Sequence, residues 1–141
     1  MLIRADLVLS RKCVLILFCL LFYRFSIGEA AEKVKYTGTF SSFKFNKESG
    51  DLSGVEIKIV LTRKGYQGAL QIAEGGPSQL IVVNINVENE NISFEIPKSY
   101  PDYGGQSFKG KIDNNSITGN FILNGEVMDQ EKLIHKHSYW D

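Results

Sequence analysis

Apolar and polar residues alternate with a period of two through most of the chain. Val55, Ile57, Ile59 and Leu61 alternate with Glu56, Lys58, Val60 and Thr62, the most regular strand signal in the sequence. Within Phe108–Leu123, one run places Phe108, Gly110 and Ile112 on one face and the next places Ile117, Gly119, Phe121 and Leu123 on one face, because residues two apart share a face of a strand. Asp113-Asn114-Asn115-Ser116 lies between them, and short amide and acid side chains bond their own backbone and tolerate tight reversal. The pair therefore reads as a β-hairpin with one oily face.

The same pattern predicts further strands. Tyr36–Phe45 forms a long first strand whose apolar parity changes near Ser41-Ser42, which predicts a bulge or bend there. Tyr66, Gly68, Leu70 and Ile72 share a face in a strand ending near Glu74. Val83, Ile85 and Val87 face inward in a strand over Gln79–Val87, and Ile92, Phe94 and Ile96 form another that Pro97 stops. Lys98–Gln106 is the longest loop, Asn124–Glu131 is polar, and Lys132–Tyr139 is an eighth strand. Eight short strands joined in order by turns make an all-β antiparallel meander. Closing the meander into a small barrel removes its two exposed edges; a two-sheet sandwich is the alternative. Gly-x-apolar recurs at Gly38, Gly68, Gly110 and Gly119, with each glycine on the inward face. Inward glycine lets a strand coil sharply, and it leaves side-chain space that a lumen could use.

The N-terminus changes what the composition means. Arg4, Arg11 and Lys12 precede an apolar run, Val14–Tyr23, and small residues follow at Gly28 and Ala30. This is the layout of a secretory signal peptide over residues 1–30, leaving a single domain over 31–141. The run is about ten residues, half of what spans a bilayer, so no stable membrane span is expected after cleavage. Cys13 and Cys19 leave with the signal, so the exported domain has no cysteine and rests on its core alone. Its 12 basic and 14 acidic residues are mixed in sequence, giving a net charge of about −2. No basic patch points to nucleic acid. A disulfide-free exported domain fits a bacterial periplasm or envelope.

The segments Thr37–Phe40, Ile92–Pro97, Phe108–Ile112 and Ser116–Phe121 read T-G-x-F, I-x-F-E-I-P, F-x-G-K-I and S-I-T-G-N-F. This layout resembles the small calycin-like β-domains of bacterial secreted proteins, including β-domains that accompany some exported α/β-hydrolases. The resemblance implies a lipocalin-like barrel. It carries no catalytic residue onto this chain.

Candidate chemistry is sparse. His135 and His137, the only histidines, are spaced to share a strand face, but they would supply two of the three or four ligands zinc needs, so they are weak metal candidates. No Gly-x-Ser-x-Gly elbow occurs, and most carboxylates lie in turns, with Glu56 and Glu95 pointing outward. Glu74 is the exception, pointing inward by parity at its strand end. Tyr66, Tyr100, Tyr103, Tyr139 and Trp140 fall at strand ends or in loops, where an aromatic ring with a polar tip suits a mouth or an interface. Trp140 is expected to pack across one barrel end. The expected function is non-catalytic: a small, partly apolar ligand held in the lumen by Tyr66, Glu74, Tyr100, Tyr103 and Trp140. The mouth would be built from Glu74–Pro77 and Tyr100–Gly105. The alternative is a monomeric protein-interaction or inhibitor-type accessory module of the envelope, and an enzyme is the third reading. No cofactor is implied. Bulky inward residues at most positions favour the interaction module, whereas a connected apolar cavity would favour the binder.

Overall fold

The computed structural model describes residues 34–139. The expected signal peptide, both cysteines, Trp140 and Asp141 lie outside the described residues. The elements are β1 (Gly38–Ser41), β2 (Lys44–Phe45), β3 (Leu52–Thr62), β4 (Gly65–Gly75), β5 (Ile81–Glu88), β6 (Asn91–Glu95), β7 (Ser107–Ile112), β8 (Ser116–Leu123) and β9 (Glu126–His135). Each strand from β3 to β9 pairs antiparallel with the next. β1 pairs with β3 on one side and β9 on the other, which closes the ring. The fold is thus an eight-stranded antiparallel barrel with one extra strand, β2. The sandwich alternative is excluded by this closure.

Two turns set the hairpins. Asn89 and Glu90 take φ of 48° and 67° between β5 and β6, and Asn124 and Gly125 take 52° and 87° between β8 and β9. Two successive left-handed residues match the right-handed twist of the flanking strands. Residues 42 and 43 interrupt the first strand where the parity change predicts it. Pairing to β3 resumes at Lys44↔Ser53 in the register of Ser41↔Glu56, so no residue is inserted there. Phe43 and Phe45 consequently lie on the outer face.

The last strand differs from expectation. It begins at Glu126 rather than Lys132 and ends at His135 rather than Tyr139. The Asn124-Gly125 turn starts it early. The pairing shifts between Asn120↔Gln130 and Ile122↔Val127, so one extra residue in β9 breaks the alternation that would have marked the strand. Residues 136–139 leave the sheet.

The barrel is filled. Phe40, Ile57, Leu70, Ile81 and Ile96 are fully buried, with further layers from Val83, Ile92, Phe108, Ile112, Ile117 and Leu133. Along the expected inward faces the exceptions fall at strand ends: Val87 and Tyr66 are half-buried, and Leu61, Glu74 and Leu123 are exposed. Phe94 stacks on Phe108 with ring centroids 5.1 Å apart, and Phe121 meets Phe108 edge-on at the same distance. The inward glycines do not leave room. A Cβ on Gly68 would lie 2.8 Å from both Ile57 and Ile85, and one on Gly119 would lie 2.6 Å from the Phe108 ring. Neighbouring side chains have grown into each space.

Candidate functional site

The expected binding residues separate to the two ends of the barrel. Tyr66 starts β4 at the end where β1 begins and β9 finishes, and its ring meets Tyr36 edge-on at 5.9 Å. His135 is at the same end. It pairs with Phe40, its ring lies 4.9 Å from the Phe40 ring, and it covers the Cα of Gly38. His137 follows beyond the strand and is exposed. Among the described residues no group of three or more His, Cys, Asp or Glu side chains converges on a common point.

Glu74, Tyr100 and Tyr103 meet at the opposite end. The 97–106 loop covers it. Ile96 N–H bonds Gln106 O at 2.8 Å, Gly105 N–H bonds Ile96 O at 2.9 Å, and Gly104 N–H bonds Tyr100 O at 3.0 Å. Tyr100 and Tyr103 pack on the core, and the Tyr100 hydroxyl accepts from Val82 N–H at 3.2 Å. The loop is a plug that completes the core rather than a flap above an opening. Glu74 keeps the inward parity of Leu70 and Ile72, but its position lies past the last apolar layer, so the carboxylate stands in water at the rim. Burial pushes the Tyr103 phenol above its ordinary value, with the carboxylates of Glu74 and Asp102 adding to the effect. The two segments expected to form a mouth do lie at the same end, where Tyr100 and Tyr103 pack on the core.

The outer surface carries what the lumen lacks. Ten large apolar side chains are exposed among the described residues, and six of them (Phe45, Leu80, Val82, Leu123, Val127 and Met128) belong to the plugged end. Phe45 lies on β2, and Leu123, Val127 and Met128 lie on the β8–β9 hairpin.

One carboxylate has a role that alternation does not reveal. Glu56 points outward on β3, as expected, yet it is only 6% exposed. The chain after β9 folds over it. Ser138 donates its hydroxyl to Glu56 Oε1 at 2.6 Å, and Tyr139 donates its N–H to Oε2 at 2.9 Å. The Tyr139 ring meets Phe43 edge-on at 5.8 Å, over a small outer cluster of Phe43, Leu52 and Ala73. Glu56 is therefore an anchor for the C-terminal segment. The signal available in the sequence was an outward Phe43 and Leu52 needing cover.

At the end where β1 begins and β9 finishes, the Asp113 turn ties three parts together. Asp113 Oδ1 accepts the N–H groups of Asn115 at 2.7 Å and Ser116 at 2.6 Å. The Asn115 bond, joined by those of Ser116 and by the charge of Lys132, holds the Asp113 carboxyl below its ordinary range. Lys35 N–H bonds Asn114 Oδ1, and His135 N–H bonds Asn115 O.

No helix among the described residues is long and apolar enough to cross a membrane. No family model, curated protein or solved structure matches the chain.

Proposed function

We propose that this chain is an exported envelope protein that works as a protein-interaction module, docking a partner on the outer surface of its plugged end. The observation that carries the reading is the filled interior. Every inward glycine is met by a neighbour's side chain or, at Gly110, by the opposing backbone, so the surface offers a ligand more than the lumen does. Six of the exposed apolar side chains belong to the plugged end of the barrel, and exposed apolar surface is what a partner would cover. The closed eight-stranded ring is the shape that the calycin resemblance implies, and the reading keeps that shape while moving the binding from the inside to the outside.

Photo-crosslinking residues at Leu80 and Met128, with Asn86 and Lys109 as controls, test it in the native envelope. A defined protein adduct at the first two positions and none at the controls is the expected result. Native mass spectrometry that instead finds a small molecule retained by the chain, with no protein adduct, overturns the reading in favour of lumen binding.

A further inference from the structure

The ring is closed unevenly, and a groove follows its shortest ladder. β1 meets β9 through two pairs, Phe40↔His135 and Ser41↔Ile134. Past them β2 pairs with β3, and among the described residues no pair joins β2 to β9. The groove is walled by the link from β1 to β2, by β9 and by the residue that follows β9. Its floor is polar. Ser41 is buried and Ser42 and Glu131 are half-buried, with the Ser42 hydroxyl donating to Glu131 Oε2 at 3.3 Å. Each wall brings one exposed lysine: Lys44 from β2, Lys132 from β9, and Lys136 from the segment that donates its N–H to Thr39. Among the described residues Glu131 is the one carboxylate lining the groove, and Ser42 already engages it. Lys132 also acts on Asp113 in the β7–β8 turn. The charge offered to an occupant is therefore positive.

The geometry points to this groove as the seat of an acidic segment of the partner protein, a short extended stretch in which Asp or Glu side chains flank an apolar residue. This rests on the interaction reading above and names the chemistry of that partner. Charges of opposite sign across a rim steer association and fix its register. Spacing favours a segment over a small anion. Lys132 and Lys136 are four positions apart, up to about 13 Å along an extended chain, and Lys44 stands on the opposite bank. One oxyanion reaches part of this set, whereas a chain carrying several carboxylates reaches all of it. Ile134, 45% exposed and between Lys132 and Lys136 in sequence, supplies the apolar contact. The Ser42–Glu131 bond crosses the groove beneath the exposed lysines, so the segment lies over it, held by side chains rather than by added ladder bonds. Lys44 precedes Phe45, one of the exposed apolar residues of the plugged end, so the groove continues into the surface already assigned to the partner.

The test titrates a short synthetic peptide of alternating Glu and Val onto the full chain and follows backbone amide shifts. Saturable shifts gathered on residues 41–44 and 130–136 are expected, with affinity falling as salt rises and no binding by a Lys–Val peptide of the same length. Lys44→Glu combined with Lys136→Glu should weaken binding by about tenfold or more with the melting temperature kept, since both side chains are exposed. Lys109→Glu, a charge reversal on the exposed face of β7, should leave binding nearly unchanged. Shifts centred elsewhere, or an equal loss from Lys109→Glu, overturn the inference, because net charge alone then explains the binding. Displacement of the peptide by an equal concentration of inorganic phosphate overturns it in favour of a small-anion site. If the peptide fails while crosslinks at Leu80 and Met128 still capture a protein, the acidic segment falls and the interaction reading stands. If both fail, both fall.

Discussion

The β7–β8 wall and the β1–β9 junction lie in the same ring. Six consecutive residue pairs join β7 to β8, from Ser107↔Ile122 to Ile112↔Ile117. Two pairs join β1 to β9. In the wall, Gly110 and Gly119 face each other and bring the two backbones close, and Phe108 lies across Gly119. At the junction, side chains take over from the ladder: Ser42 reaches Glu131, and Ser138 and Tyr139 reach Glu56. Rigidity is thereby concentrated on one side of the barrel. The other side joins β1 to β9 through two pairs, and residues 136–139 are held over it by Thr39, Glu56 and Phe43.

Changes to the wall should do the most damage. Phe108→Ala removes the ring that stacks on Phe94, contacts Phe121 and fills the space at Gly119, and should cost about 3–5 kcal/mol. That is a large part of the stability of an ordinary domain, so urea unfolding should show a much lower midpoint or no folded baseline. An equal loss from a change at the junction would break the comparison.

Glu56→Ala comes next. It strips the acceptor from the Ser138 hydroxyl and the Tyr139 N–H and should cost about 1–3 kcal/mol. Hydrogen exchange should show faster amides at residues 136–139 with the wall unchanged, whereas uniform acceleration through β7 and β8 would tie the two regions together. Glu90→Gly acts in the opposite direction. Glu90 sits at φ 67°, where a Cβ is strained, and glycine should add about 1 kcal/mol, read as a higher urea midpoint.

The smallest effect concerns pH. Asp113 has a lowered folded pKa, so its contribution is full above the ordinary Asp value of about 3.9 and is lost as pH falls through the folded value. Asp113→Asn should therefore be slightly less stable than the parent at neutral pH, with the gap closing on acidification. Solvent screens this exposed group, so the difference stays small. A gap that widens in acid would reverse the assignment.

The regular parts of the barrel were legible because burial follows parity. Ile57, Ile59, Leu70, Ile72, Val83, Ile85, Phe94, Phe108 and Phe121 all face the core as alternation requires. The β9 strand was misplaced because its bulge and its charged, half-paired edge hide the period, although Asn124-Gly125 is a strong hairpin signal. The expected site was legible only in part. Glu74 and the tyrosine loop share one end, but alternation alone cannot say whether a strand's final inward position lies in the core or above it. Glu56 was hidden for a different reason. Its burial depends on a chain segment more than eighty positions away, and no local pattern carries that information.

The two-pair closure also bears on the order of folding. β3 and β4 share eleven residue pairs across a tight turn, a contact between near neighbours in the chain. Phe40 and His135 must meet across almost the whole domain. Loop closure over that distance is paid before so few pairs return anything, so the ring should close last on the way in. Substitutions at β1 and β9 should then leave the folding rate nearly unchanged and speed unfolding, and the barrel opens along the line where its two chain ends were brought together.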